Sequence, residues 1–487
     1  MDRQIRRLGV VLLLAFLLLF LQLGHIQVLQ ASKLANDPGN IRKVLQKFSS
    51  PRGDIQTSDG VLLAHSVPSH DIFKYQRQYP TGPLFAHIVG YDSLTYGTSG
   101  VEEFYNSDLE GHTIPLRHLA DILTNRTVTE TITLTLTNHL QQVVQNALGT
   151  KIGAAVALDP RSGAILAMYS NPSFDPNPLA SHDQKAVATA WSAYQADPHQ
   201  PMLARAFRRS YPPGSTFKVV TASAALDKDP ALATKVYPTV SQISLPQTTH
   251  TLSNFNGETC GGILPDLLRV SCDTGFALIG LDLQGQNLSS EAMSFGFDRT
   301  PPLDTSPGTL ASTFPPASAF AQNQPGLAFS AIGQEDVSAT ALQMGLVASG
   351  IADHGVIMTP HVMSQIRDSQ GNQVAAYNPK TWSTATSPGT ASTVTGYMVG
   401  VVQGGTARNM ALPGIQVAAK TGTAQTGGAS SQTANWMIAF APAQAPTVAV
   451  AVVVPPQPGL GGDVQGATIA GPIAKAMLAA ALKVGGG

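Results

Sequence analysis

A serine followed three residues later by a lysine, Ser215 and Lys218 in Y-P-P-G-S-T-F-K (211–218), is where residue types and spacing in this 487-residue chain first suit a chemical step. The apolar run 219–225 predicts a buried helix, entered through Pro212, Pro213 and Gly214, residues tolerated before or within a first turn. Ser215 then lies near the helix start, where unpaired backbone amides and the dipole favour developing negative charge. Lys218 falls on the same helical face and can take the hydroxyl proton if its amine is neutral. Burial and a second nearby cation move a lysine pKa in that direction. Taken alone, S-x-x-K reads more readily as a helix cap beside a surface lysine.

Two further sites follow in order. S-C-D at 271–273 supplies Ser271 and Asp273 after the helical-looking 267–270, and A-K-T-G-T-A at 419–424 supplies Lys420, Thr421, Gly422 and Thr423 at the end of a predicted strand. The triple S-x-x-K, S-x-N-like and K-T-G is a signature of serine acyl transfer. With Arg52-Gly53, G-x-x-x-A-x-Y-S-N-P-S-F-D-P-N (163–177), Phe295-Gly296-Phe297, A-I-G-Q (331–334) and N-W-M-I-A-F-A-P (435–442), the chain resembles a class B penicillin-binding protein over nearly its whole length. The short stalk and Ser271-Cys272 resemble the smaller actinobacterial division-type members.

The resemblance implies a peptidoglycan D,D-transpeptidase. Ser215 attacks the penultimate D-alanyl carbonyl of one stem peptide, releases D-alanine, and passes the acyl group to an amine on another. Lys218 accepts the Ser215 proton and Ser271 relays one to the leaving amine. Lys420 and Thr421 hold the substrate carboxylate, joined by Thr423 Oγ1, and the amides of Ser215 and Thr423 form an oxyanion hole. Gly422 lets substrate approach the strand. The resemblance also implies acylation by β-lactam antibiotics, no cofactor, and partnership with a membrane glycan polymerase and division or elongation proteins. No glycosyltransferase motif precedes residue 150. A β-lactam hydrolase or sensor, or an idle division scaffold, are the alternatives.

Asp273 departs from the family, which usually carries asparagine there. An ionised aspartate adds negative charge beside Lys218 and Lys420 and cannot donate an amide hydrogen bond. Either Asp273 is protonated or paired to Lys218 and the site works, or acylation is slow with an unusual pH optimum.

These residues need elements to hold them. Strand patterns at 153–158 and 164–168, then at 415–420, 436–441 and 447–454, bracket some 250 residues of helix and loop, with a closing helix at 469–483 that has Pro472 near its start. Strands at both ends with helices between predict an α+β domain whose antiparallel sheet joins the first and last parts of the chain. By resemblance it is the penicillin-binding/β-lactamase-like fold, with helices on both sides. Residues 299–324 form a long surface loop. The strand pattern 131–137 and helix pattern 139–148 put a boundary near 135, giving a transpeptidase domain at 136–487 and a small β-rich, dimerisation-like stalk at 31–135. A hairpin is expected at Asp59-Gly60, between Ile55 and 61–64.

Before the stalk, Arg3, Arg6 and Arg7 precede an apolar stretch, 8–29, whose 22 residues span a bilayer core. A cleaved signal peptide is the alternative, with Ala31-Ser32 as a weak cleavage site. The charge bias puts the N-terminus inside, so 1–30 is a cytoplasmic tip and anchor, and the rest is extracytoplasmic in a single-pass cell-membrane protein.

Composition agrees with a folded chain: 43% hydrophobic, 12% charged, with 45 Gly and 34 Pro. Net charge is −1 with no recurring basic block, which argues against nucleic acid. Cys260 and Cys272 lack zinc-site spacing, and a bridge and two buried thiols both stand open. His65, His70, His87 and His139 read as surface or satisfied core residues and no motif indicates a metal. Trp436 reads as core packing.

Overall fold

The computed structural model describes residues 2–30, 45, 47–110, 112–113, 127–425, 433–458 and 466–484. They divide into two compact units, one of 1–51 with 66–76, the other of 52–65 with 77–487. Ala31-Ser32 lies outside the described residues. In the first unit, helix α1 (Asp2–Gly24) continues through a wider turn at His25–Leu29. The apolar helical span Arg3–Leu29, 27 residues long and unburied, is long and apolar enough to cross a membrane.

The second unit opens on the expected hairpin, where β1 (Ile55–Gln56) pairs antiparallel with β2 (Leu62–Pro68) through Ile55↔Ala64 and Gln56↔Leu62. Asp59 also accepts from the Asn138 amide, at 3.0 Å. Strand β3 (Thr131–Leu134) lies parallel to β1 and leads into helix α2 (Asn138–Leu148), capped by Thr137 Oγ1. Strands β4 (Gly153–Leu158) and β5 (Ile165–Asn171) form the predicted antiparallel pair.

The middle of the chain supplies helices α3 (Lys218–Lys228), α4 (Leu264–Val270), α5 (Asp273–Ser294) and α6 (Ala341–Ala352). All twelve residues of α6 are buried, as befits a helix apolar on every side. Strands β6 (Met363–Arg367) and β7 (Gln373–Ala376) follow, then α7 (Pro388–Gly404), β8 (Ala418–Gln425), β9 (Thr433–Ala441), β10 (Val448–Val454) and α8 (Gly466–Val484).

The main sheet runs β5-β4-β10-β9-β8, so the ends of the domain do build it and β8 is an edge. Helices cover both faces. A methyl on Gly345 of α6 would meet Val156 and Leu158 of β4, whereas one on Gly153 would meet Leu148 of α2, and residues of opposite parity in a strand face opposite ways. Every residue of β9 and β10 is buried, which explains their near-continuous apolar runs.

Two expectations need correction. Strand β8 begins at Ala418 and runs through the K-T-G motif rather than ending at it, because each residue from Ala418↔Phe440 to Gln425↔Thr433 pairs with β9 in unbroken register. That pairing outweighs the poor strand propensity of Gly422. Strands also occur between the two ends of the domain. β6 pairs with β3 through Met363↔Leu134 and Ile366↔Ile132, completing a sheet in which β7, β6, β3, β1 and β2 lie in that order. Its sequence, M-S-Q-I-R, has no run of apolar residues to announce it.

Candidate active site

The serine sits on a single turn, Gly214–Thr216, that feeds α3. Gly214 has φ +52°, and a methyl there would lie 2.8 Å from the Thr423 carbonyl oxygen. Its N–H donates to the Gly333 carbonyl at 2.8 Å. Phe217 anchors the turn from below, stacked on Phe314 at 5.2 Å and edge-on to Phe297 at 5.3 Å. Trp436 is fully buried and donates from Nε1 to the Pro212 carbonyl at 2.8 Å, so it packs the core as expected and also holds the approach to the turn. Ser215 itself is half-buried and lines an open cleft with Ser271, Asp273, Thr421 and Thr423.

Helix α4 ends at Ser271, whose φ of +62° is left-handed, while the Cys272 N–H returns to the Leu267 carbonyl at 2.9 Å. The fold thus turns Ser271 and begins a new helix at Asp273, whose carboxylate suits a helix N-terminus. Cys272, between them, is bridged to Cys260, which settles the pairing that the sequence leaves open. Asn254 supports the same corner, accepting from the Thr274 N–H at 2.8 Å and donating to the Val240 and Glu258 carbonyls.

The three motifs meet at this corner. Lys218 Nζ donates to Asp273 Oδ1 at 2.6 Å, to the Ser271 carbonyl at 2.7 Å and to Ser271 Oγ at 3.4 Å. Those partners account for all three ammonium donors, and Ser215 Oγ is not among them. Lys420 Nζ donates to Ser271 Oγ at 2.8 Å and to the Thr421 carbonyl at 3.0 Å. Thr421 Oγ1 lies 2.7 Å from Thr406 Oγ1, and Thr423 Oγ1 accepts from the Gly466 N–H at 3.1 Å.

Both lysines are wholly buried. Burial pulls the Lys218 amine below the usual lysine range, against the charge and hydrogen bond of Asp273, which raise it. Lys420 is drawn well below its usual range, by burial first and then by the Lys218 charge, with Asp273 opposing. The Asp273 carboxylate lies paired to Lys218.

Gly422 packs against the nucleophile turn. A methyl there would meet the Pro213 carbonyl oxygen at 2.8 Å, Thr216 Cγ2 at 2.9 Å and Trp436 Cβ at 2.9 Å. The strand alternates, so this face of β8 abuts the nucleophile turn, and the glycine admits that turn. Sequence reasoning missed Asn254 and Thr406, which carry no motif of their own, and gave Gly333, within A-I-G-Q, no part in the site.

Among the described residues no cluster of His, Cys, Asp and Glu could hold a metal ion. His87 is a satisfied core residue. Its ring bonds the Pro201 carbonyl at 2.8 Å, packs edge-on to Phe174, and is pushed down to about 4 by burial.

The model of the penicillin binding protein transpeptidase domain matches residues 153–479, and that of the penicillin binding protein A dimerisation domain matches 52–130. The chain is 38% identical to the peptidoglycan D,D-transpeptidase PbpA of Mycolicibacterium smegmatis over 502 positions, with 100% of both chains covered. It is 36% identical to the protein of that name from Mycobacterium tuberculosis, with 99% of each covered. The ceftriaxone acyl-enzyme complex of M. tuberculosis penicillin-binding protein A superposes with a TM-score of 0.82 at 34% identity, over 90% of this chain and 100% of that one. Motifs, fold and relatives agree: the chain belongs to the class B penicillin-binding proteins.

Proposed function

We propose that this chain is a membrane-anchored peptidoglycan D,D-transpeptidase that cross-links stem peptides through a Ser215 acyl-enzyme and is acylated by β-lactams. The observation that carries the reading is the hydrogen-bonded network of Lys218, Ser271 and Lys420 beside Ser215 in one cleft. Ser215 is the nucleophile and Lys218 the base that accepts its proton. Ser271, between the two lysines, relays a proton to the leaving D-alanine amine. Lys420, with Thr421 and Thr423, receives the substrate carboxylate, and a buried cation there gains from the absence of competing water. The Ser215 and Thr423 amides receive the developing oxyanion. β8 is the sheet's edge, so part of its backbone is left unpaired by strand neighbours. Gly422 positions the nucleophile turn, and Asp273 is the ionic partner of Lys218.

The chain is read as 1–30 cytoplasmic tip and anchor, 31–135 stalk and 136–487 transpeptidase domain, with everything after the anchor outside the cell membrane. The family matches at 52–130 and 153–479 and the apolar Arg3–Leu29 helix support this. A membrane glycan polymerase and division or elongation proteins are its expected partners.

The test is covalent labelling of the full-length chain in detergent with a fluorescent penicillin, beside Ser215→Ala. A stable adduct on the native chain alone is expected, and its slow loss distinguishes a transpeptidase from a hydrolase. No adduct at any pH would overturn the reading in favour of an idle scaffold.

A further inference from the structure

We infer that Asp273 is the terminal proton acceptor of the acylation step, taking from Lys218 the proton that must leave before Lys218 can accept one from Ser215. This rests on the reading of Ser215 as nucleophile and Lys218 as its base. The problem it solves is geometric. An ammonium whose three hydrogens point at Asp273 Oδ1, the Ser271 carbonyl and Ser271 Oγ has no lone pair for a fourth proton. The Lys218 side chain is 0% exposed and that of Asp273 17%, so solvent is a poor sink for the surplus proton.

Asp273 Oδ1 lies 2.6 Å from Nζ, at the short end for a charge-assisted hydrogen bond. Moving the proton across that contact turns a buried ion pair into an amine and a carboxylic acid, both neutral, and the cost of burying charge favours that exchange. An asparagine amide has no basic site to receive it. The charged groups facing this pair are few. Lys420 approaches from β8 through Ser271 Oγ, and its own amine is pushed toward neutrality by burial, which lessens its hold on an ionised Asp273. Glu258 lines the cleft beyond, and the Phe276 ring lies 5.5 Å from Lys218 Nζ.

The protons balance. The Lys218 ammonium gives one proton to Asp273 Oδ1. Ser215 Oγ bonds to the substrate carbonyl carbon as its hydrogen passes to the Lys218 amine. When the tetrahedral species collapses, the carbon–nitrogen bond breaks and Lys218 returns that proton, through Ser271 Oγ, to the leaving nitrogen. Asp273 then hands its proton back to Lys218, restoring the ion pair.

The experiment is the pH dependence of the second-order rate of acylation by fluorescent penicillin, over about pH 4 to 9, for the full-length native chain and Asp273→Asn. The native acid limb reports uptake of a second proton by the pair, whereas that of the variant reports Lys218 alone, which must then release its proton to solvent. The half-point of the acid limb is therefore expected to rise by about one pH unit or more in Asp273→Asn, with a fall in rate at acidic pH and recovery toward the native rate on the alkaline side. An unmoved half-point, or one that falls with faster acylation at neutral pH, would overturn the inference, since a carboxylate that only holds Lys218 charged is a brake whose removal helps. Asp273→Ser, also without a basic site, makes the same comparison if the asparagine variant does not fold. Absence of an adduct on the native chain would count against the nucleophile assignment, a separate failure.

Discussion

Replacing Gly422 by alanine tests whether the strand face beneath the K-T-G motif holds the nucleophile turn or receives substrate. The added methyl would sit 2.8 Å from the Pro213 carbonyl oxygen and 2.9 Å from both Thr216 Cγ2 and Trp436 Cβ. Unstrained contacts of carbon with heavy atoms lie nearer 3.5 Å, so the neighbours must retreat by roughly half an ångström or more. Two of the three belong to the Pro213–Thr216 segment around Ser215, and the third to the interior strand β9, which is buried throughout and has less room to move. The turn therefore yields. Overpacking of this kind costs about 1–3 kcal/mol of stability. Since a misplacement of about 1 Å can cost 10²-fold in rate, a displacement of half that is expected to slow acylation about tenfold. The assay is the acylation rate with fluorescent penicillin together with the thermal midpoint, on the same preparation. If Gly422→Ala lowers affinity for a D-alanyl-D-alanine peptide while the β-lactam acylation rate and thermal midpoint stay native, the glycine faces substrate after all and the packing argument is wrong.

Two further substitutions probe support and pH dependence. Trp436→Phe removes the Nε1 donor to the Pro212 carbonyl and leaves a small cavity where the larger indole packed, so a loss of at least roughly 1–3 kcal/mol in unfolding free energy is expected with a smaller change in acylation rate, measured by denaturant titration and labelling. Glu291 is buried on α5, its Oε2 3.2 Å from Lys228 Nζ and its Oε1 without a partner, and burial, aided by the Asp227 charge and opposed by Lys228, pushes its carboxyl up to about 7 from 4.5. A folded-state pKa above the unfolded value means the folded chain binds more protons between those values, so stability is full below about 4.5 and falls as pH rises to about 7, by roughly 3 kcal/mol. Glu291→Gln is expected to flatten that fall and to melt higher than native at about pH 8, which a pH series of thermal midpoints would check.

How much of this was legible in the sequence depended on whether the signal was local. The main-sheet strands β9 and β10 showed as apolar runs because both their faces are buried, and α8 showed through its helical apolar spacing, whereas α6 was not singled out within the helical middle of the chain. The β1–β2 hairpin showed through Asp59-Gly60. Strand β6 did not, because what makes M-S-Q-I-R a strand is its pairing with β3 and β7, partners that a window of sequence does not contain. The bounds of β8 were misread in the same way: Gly422 looks like a strand end until β9 is placed alongside.

The site divides along the same line. Residue types were legible, since S-x-x-K, S-x-D and K-T-G announce two serine hydroxyls, a threonine hydroxyl, two amines and a carboxylate wherever they fall. Direction was not. Ser271 Oγ meets Lys218 across 53 residues of sequence and Lys420 across 149, and the meeting depends on a left-handed Ser271 that no residue preference predicts, serine being less given to that conformation than glycine or asparagine. The same turn brings Asp273 against Lys218, so the departure from the family at one position became an ion pair rather than a solvated charge. A motif therefore specifies which groups can exchange protons, while the backbone at Ser271 decides between which of them the exchange runs. That is why the first amine beside the nucleophile is found turned toward a carboxylate, and why the pH dependence of acylation should be read as a property of the Lys218–Asp273 pair rather than of either residue.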